Sequence, residues 1–179
     1  MVLELEFVYG FLCAFASIAF CASASRFVPS TDGAINSAEV VKPDAVIDMS
    51  KEDVIKKSLE LTEGIGPTVV ITAAPSGQAQ EQAISLVAPG GRISFFGGLP
   101  KDKPFINCDS NLVHYKELFL VGANGSSPKQ NKIALEMISS GKVEVKKLIT
   151  HKVPLAQVNK AIEAVLSGEA IKVVVNPND

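Results

Sequence analysis

The 179 residues, 47% hydrophobic and 20% charged, are apolar enough to bury a core and too apolar for a disordered tail. Seventeen Lys and Arg against nineteen Asp and Glu give a formal charge of −2 with no long basic stripe, which excludes a nucleic-acid binder on electrostatic grounds. Three cysteines, Cys13, Cys21 and Cys108, without a Cys-x-x-Cys pair support neither a disulfide framework nor a zinc knuckle, so a reducing, cytoplasmic setting is expected.

Residues 7–24, FVYGFLCAFASIAFCASA, are the most apolar stretch, and three readings of them stay open. A secretory signal wants positive charge ahead of the apolar run, yet the only charges before Arg26 are Glu4 and Glu6. A membrane-spanning helix needs about 20 predominantly apolar residues, and this run is diluted by Ser, Gly and Ala. The reading adopted is a buried strand–helix–strand. Residues 3–9 alternate like a strand, 11–24 form a buried helix, and 25–32 form a second strand reaching Asp32.

From Lys42 onward the punctuation is regular. Pro43–Asp48 reads as a short strand, followed by a helix capped at Ser50 with Asp53 in its first turn, running to Gly64. Thr68–Thr72 is a continuous β-branched run of the kind buried on both faces of a parallel sheet, and it stops at Ala73-Ala74-Pro75. A helix over 77–88 ends at Pro89-Gly90-Gly91, and a strand Arg92–Phe96 halts at Gly97-Gly98. After a polar loop, a strand Glu117–Val121 ends at Gly122-Ala123, and Pro128 opens a helix that runs to Gly141. A strand Lys147–Thr150, a helix Leu155–Leu166 stopped by Gly168, and a strand Ile171–Val175 close the chain. Strands alternating with helices predict an α/β fold, a Rossmann-like parallel sheet with helices on both faces, an aberrant first βαβ unit and a C-terminal strand–helix–strand segment. Ligands bind such a sheet outside the carboxyl ends of its strands, and three strands here end in small residues that let a ligand approach the backbone.

The segments Pro43–Asp48 (PDAVID), Val69–Ser76 (VVITAAPS), Ala88–Pro100 (APGGRISFFGGLP), Lys116–Gly125 (KELFLVGANG) and Leu148–Val175 resemble the cofactor-binding half of the zinc-dependent medium-chain alcohol and polyol dehydrogenases, the group of sorbitol and threonine dehydrogenases. The resemblance implies strand order 3-2-1-4-5-6 and NAD or NADP as cofactor. It places Ala73, Ala74 and Pro75 on the adenosine side, and Phe96, Gly97, Gly98, Leu120, Val121, Gly122 and Ala123 toward the nicotinamide. It implies residues 41–146 as the remainder of the dinucleotide-binding domain and 147–179 as the return to a catalytic domain. Residues 1–40 are native, frame-shifted or a targeting segment.

Departures from the family are equally specific. The first-strand turn should read G-x-G-x-x-G, but residues 1–40 contain only Gly10 and Gly33. The zinc of the family is held in a domain with no counterpart here, so neither catalytic nor metal residues are assigned. Cys108 with His114 lacks a third ligand, His151 reads as a partly exposed side chain, the lysines at 142, 146, 147 and 152 as a solvated face, and Asn124-Gly125-Ser126 as a turn. The expectation is a truncated dehydrogenase-like chain with weak or lost NAD(P) binding and no activity alone, completed by a zinc-domain partner chain or assembled as a homo-oligomer. The alternatives are a non-enzymatic secreted or membrane-tethered domain, and a nucleotide-binding module that oligomerises through Ile171–Val175.

Overall fold

The computed structural model describes residues 19–21, 26–30, 43–48, 51–167 and 169–178. They build a six-stranded sheet in the order β3-β2-β1-β4-β5-β6, from β1 (Ala19–Cys21), β2 (Arg26–Ser30), β3 (Ala45–Asp48), β4 (Val69–Thr72), β5 (Arg92–Phe95) and β6 (Phe119–Gly122). This is the order that the resemblance implies. A separate two-stranded parallel sheet pairs β7 (Ile149–Pro154) with β8 (Lys172–Asn176).

Five strands of the large sheet run the same way, and β1 runs against them: it pairs antiparallel with both β2 and β4, while β2–β3, β4–β5 and β5–β6 are parallel. This corrects the expected helix over 11–24 at its end, since Ala19–Cys21 is strand. It also corrects the βαβ reading. Only four residues separate Cys21 from Arg26, far fewer than the dozen or so that a crossover between parallel strands requires. The expected strand over 3–9 lies outside the described residues, as do Gly10, Cys13, Asp32 and Gly33. By lying between β2 and β4, β1 joins their edges into one sheet and removes the unpaired N–H and C=O groups that a gap would leave. Among the described residues, no helix is long and apolar enough to cross a membrane.

The core forms where one sheet face meets a layer of helices: α1 (Val54–Leu61), α2 (Gly77–Leu86) and α3 (Ser110–Tyr115). Strand alternation aims Val70 and Ile93 at this layer, where they meet Ile47, Val54, Ala79, Ala83, Ile84, Leu86 and Val87, with Leu112, Val113 and Leu120 packed at the margin. Val69, Ile71 and Ala73 point to the opposite face and form a smaller cluster.

Local chemistry sets the helix boundaries. Ser50 lies outside the described residues, and α1 is capped instead by Asp53, whose carboxylate accepts from the Lys56 N–H at 3.0 Å. α3 breaks the expected polar loop, with Asp109 as its cap accepting from the Asn111 N–H. α4 (Pro128–Ser139) starts as expected: Pro128 sits at its first position, and Ser127 with Gln130 forms a reciprocal capping box. Residues Val145–Leu148 turn as a 3₁₀ helix, which moves β7 two residues later than expected. Another such turn at Leu155–Gln157 leads into α5 (Val158–Leu166), whose cap is Ser167; the expected stop, Gly168, lies outside the described residues.

Among the described residues, one core residue departs from polar satisfaction. Ser58 on α1 is fully buried, and its hydroxyl has no hydrogen-bond partner. An unpaired buried hydroxyl carries a desolvation cost of roughly 1–3 kcal/mol, and alanine is the better helix former. Ser58→Ala is therefore expected to leave the unfolding free energy in urea unchanged or raise it by about 1 kcal/mol. A loss of stability would show that the hydroxyl is partnered in solution.

Candidate functional site

The carboxyl ends of β4, β5 and β6 lie at one level. Thr72 is in register with Phe95, and Phe95 with Gly122, so Ala73, Phe96 and Ala123 are the next residues on three adjacent strands. The ladder continues one step past the strands: Gly97 N–H donates to Thr72 C=O at 2.6 Å, and Ala123 N–H donates to Phe95 C=O at 3.3 Å. The three small-residue endings singled out in the sequence are thus brought together along one edge.

Glycine is required at the centre of this edge. A Cβ built on Gly97 would lie 2.6 Å from the Ala74 carbonyl oxygen and 2.9 Å from the Ala73 carbonyl carbon, contacts with backbone that cannot swing aside. Gly98 and Gly122 differ, because a Cβ there meets nothing within 4 Å. The edge therefore combines a tightly packed backbone floor with two glycines facing open space, and a planar ring or ribose could lie against peptide groups there without displacing side chains.

The other expected residues fall unevenly. Ala73 is buried in the second face's cluster, Ala74 is half-buried, and Pro75 is exposed at the turn into α2. Leu120 packs against the main core, so it presents backbone to the edge, whereas Val121 points to the opposite face and is 40% exposed. Gly122 is the last residue of β6 and does not lie beyond it.

Two polar residues that the sequence reading passed over support this edge. Gln80 on α2 is 5% exposed, and its side-chain amide donates to the Gly97 carbonyl at 3.0 Å. Thr72, fully buried, donates its hydroxyl to the Ser94 carbonyl at 3.3 Å and so ties β4 to β5 just below the edge. The available signal was Gln80 itself, a polar residue among Ala79, Ala83 and Ile84 on the buried side of a helix. At the far side of the sheet, Asp48 ends β3 and forms an ion pair with Lys51 at 2.7 Å.

β1 bears directly on phosphate binding. In a doubly wound sheet the pyrophosphate sits on the helix that follows the carboxyl end of the first strand. Here that carboxyl end, Cys21, is level with Val69, where β4 begins, and so lies at the opposite edge from Gly97 and Ala123. The backbone direction itself, and not only the missing glycines, keeps a phosphate-binding turn after β1 away from this edge.

Metal chemistry finds no counterpart: among the described residues, no group of three or more His, Cys, Asp or Glu is placed to hold a metal ion. Cys108 is exposed, the His114 ring meets Tyr115 edge-on at 4.8 Å, and His151 pairs with the Thr150 hydroxyl at 3.0 Å.

Comparison with known proteins places these features. Residues 28–140 match the model of a family described as zinc-binding dehydrogenase. The chain is 32% identical over 145 residues to a sorbitol dehydrogenase of Halalkalibacterium halodurans, covering 81% of this chain and 42% of that one. It is 31% identical over 142 residues to an L-threonine 3-dehydrogenase of Pyrococcus furiosus, covering 78% and 40%. An Escherichia coli oxidoreductase/dehydrogenase of unknown specificity superposes with a TM-score of 0.75 at 26% identity, over 84% of this chain and 43% of that one. The chain spans about two fifths of the length of the curated relatives it matches.

Proposed function

Because the chain belongs to the zinc-binding dehydrogenase family, we propose that it is the cofactor-binding portion of an NAD(P)-dependent alcohol or polyol dehydrogenase of the cytoplasm, with the carboxyl edge of β4, β5 and β6 as its nicotinamide-side platform. The observation that carries this reading is the alignment of three small-residue strand ends, with open space over Gly98 and Gly122. In it, Ala73, Ala74 and Pro75 line the adenosine side. Phe96, Gly97 and Gly98, together with the backbone of Leu120, Val121, Gly122 and Ala123, bound the nicotinamide side.

The nicotinamide, when bound, supplies a hydride acceptor. The protein's part at this edge is to orient the ring against fixed peptide groups and to shield one of its faces. Zinc does not fit the described residues, because no ligand cluster is present among them, so no alcohol-activating step is assigned to them. That chemistry falls to the part of the relatives that this chain does not match, and a zinc-bearing domain of that kind, wherever it is encoded, is what would complete the enzyme. Residues 147–179, which contain β7, α5 and β8, are the return segment toward it.

Affinity for the cofactor is the direct test. Because the carboxyl end of β1 lies at the opposite edge from this platform, titration calorimetry with NADH and NADPH is expected to give millimolar binding, about 4 kcal/mol short of a micromolar site. Micromolar binding by the chain alone would overturn the reversed strand as the reason for weak affinity. Steady NADH production from sorbitol or threonine would overturn the division of labour.

A further inference from the structure

Gln80 is a polar side chain almost wholly enclosed by core, and its amide spends its reach on a single target, the Gly97 carbonyl at 3.0 Å. That carbonyl belongs to the peptide joining Gly97 to Gly98. Among the described residues every peptide is trans, and in a trans peptide the C=O and the following N–H point in opposite directions. Gly97 is held on its other side as well, by the 2.6 Å bond from its N–H to Thr72 and by the close approach of Ala73 and Ala74. With its carbonyl drawn toward α2, the Gly98 N–H must point away from α2 on the exposed side of the turn, where no group among the described residues accepts from it and a Cβ would meet nothing within 4 Å.

We propose that Gln80 is a positioning residue: by holding the Gly97 carbonyl, it fixes the Gly97–Gly98 peptide so that the Gly98 N–H is presented as a hydrogen-bond donor to an oxygen acceptor of a nicotinamide nucleotide lying on the edge. The identity of the ligand rests on the functional reading above, while the orientation of the peptide does not. Gln80→Met keeps the length and volume of the side chain and removes the donor, which frees the peptide to rotate.

The test follows backbone amides by ¹⁵N–¹H NMR in the full chain, with Val54→Ala as a control that thins the same core from α1. Gln80→Met is expected to shift the Gly98 resonance and speed exchange of the Gly97 amide at least tenfold, whereas Val54→Ala lowers the unfolding midpoint and leaves Gly98 in place. If Gln80→Met moves Gly97 and Gly98 no more than Val54→Ala does, the inference is wrong. Addition of millimolar NADH should then perturb Gly98 in the unaltered chain and perturb it less in Gln80→Met. If NADH moves no amide along the edge, the nucleotide reading fails, and the first comparison still decides the role of Gln80.

Discussion

Gly66→Ala is expected to lower the unfolding free energy by about 3 kcal/mol, which for a chain of this length corresponds to roughly 6–12 °C in the melting temperature. Two costs combine at this position. Gly66 has φ +91°, a left-handed conformation that costs an L-residue roughly 1–2 kcal/mol. A Cβ there would also run into the Leu86 carbonyl oxygen and lie 3.2 Å from the Ala88 nitrogen, both of them backbone at the end of α2. Overpacking against immobile atoms adds roughly 1–3 kcal/mol. The close approach has a structural purpose: the chain leaving α1 must slide beneath the end of α2 to enter β4, and Ala88 N–H donates to Pro67 C=O at 3.0 Å just beyond the contact. Gly64 separates the two costs. It has φ +81° with nothing within 4 Å of an added Cβ, so Gly64→Ala should lose only the conformational part, about 1 kcal/mol. Equal losses at the two positions, measured by thermal and urea unfolding, would contradict the packing argument.

The same pair shows what a sequence can and cannot reveal. Gly64 and Gly66 both read as turn residues after α1, and nothing local distinguishes a glycine chosen for its φ from one chosen because another segment's backbone passes close by. β4 was legible because Thr68–Thr72 has no polar alternation, which only a strand covered on both faces tolerates, and because Ala73-Ala74-Pro75 ends it abruptly. α4 was legible because Ser127 and Pro128 supply cap and first position in adjacent letters. α3 escaped notice because six residues with two adjacent apolar side chains, Leu112 and Val113, cannot display a 3.6-residue period.

β1 escaped for a different reason. Its apolar letters fit a buried helix as well as a strand, and three residues carry too little pattern to decide. Its direction is set by its neighbours, since only a reversed strand can fill the space between β2 and β4 when four residues separate it from β2. For the candidate site, the strand-end glycines and alanines were readable one strand at a time, while their common level and the support from Gln80 emerge only once the register is known.

Lys116→Met is expected to cost about 2 kcal/mol, through loss of a cation placed on the open end of a helix. α2 stops at Leu86 and leaves carbonyls without intrahelical partners. The Lys116 ammonium, reaching from the end of α3, donates to Ser85 C=O at 2.8 Å and to Val87 C=O at 3.1 Å. Its own carbonyl accepts from Gly90 N–H at 2.6 Å, so one residue fastens both the helix end and the turn that leads into β5. Hydrogen bonds from a charged donor are worth roughly 1.5–3 kcal/mol each, and a positive charge at a helix C-terminus adds about 0.3–1 kcal/mol. Partial exposure reduces the sum, because water can replace the donor at exposed Ser85 more easily than at fully buried Val87. Because methionine retains the apolar stem, the loss isolates the ammonium. Lys116→Arg, whose planar guanidinium can still donate, should recover at least half of it in urea unfolding. A Lys116→Met variant as stable as the unaltered chain would show that water serves the end of α2 equally well, and that α2 and α3 are joined by apolar packing alone.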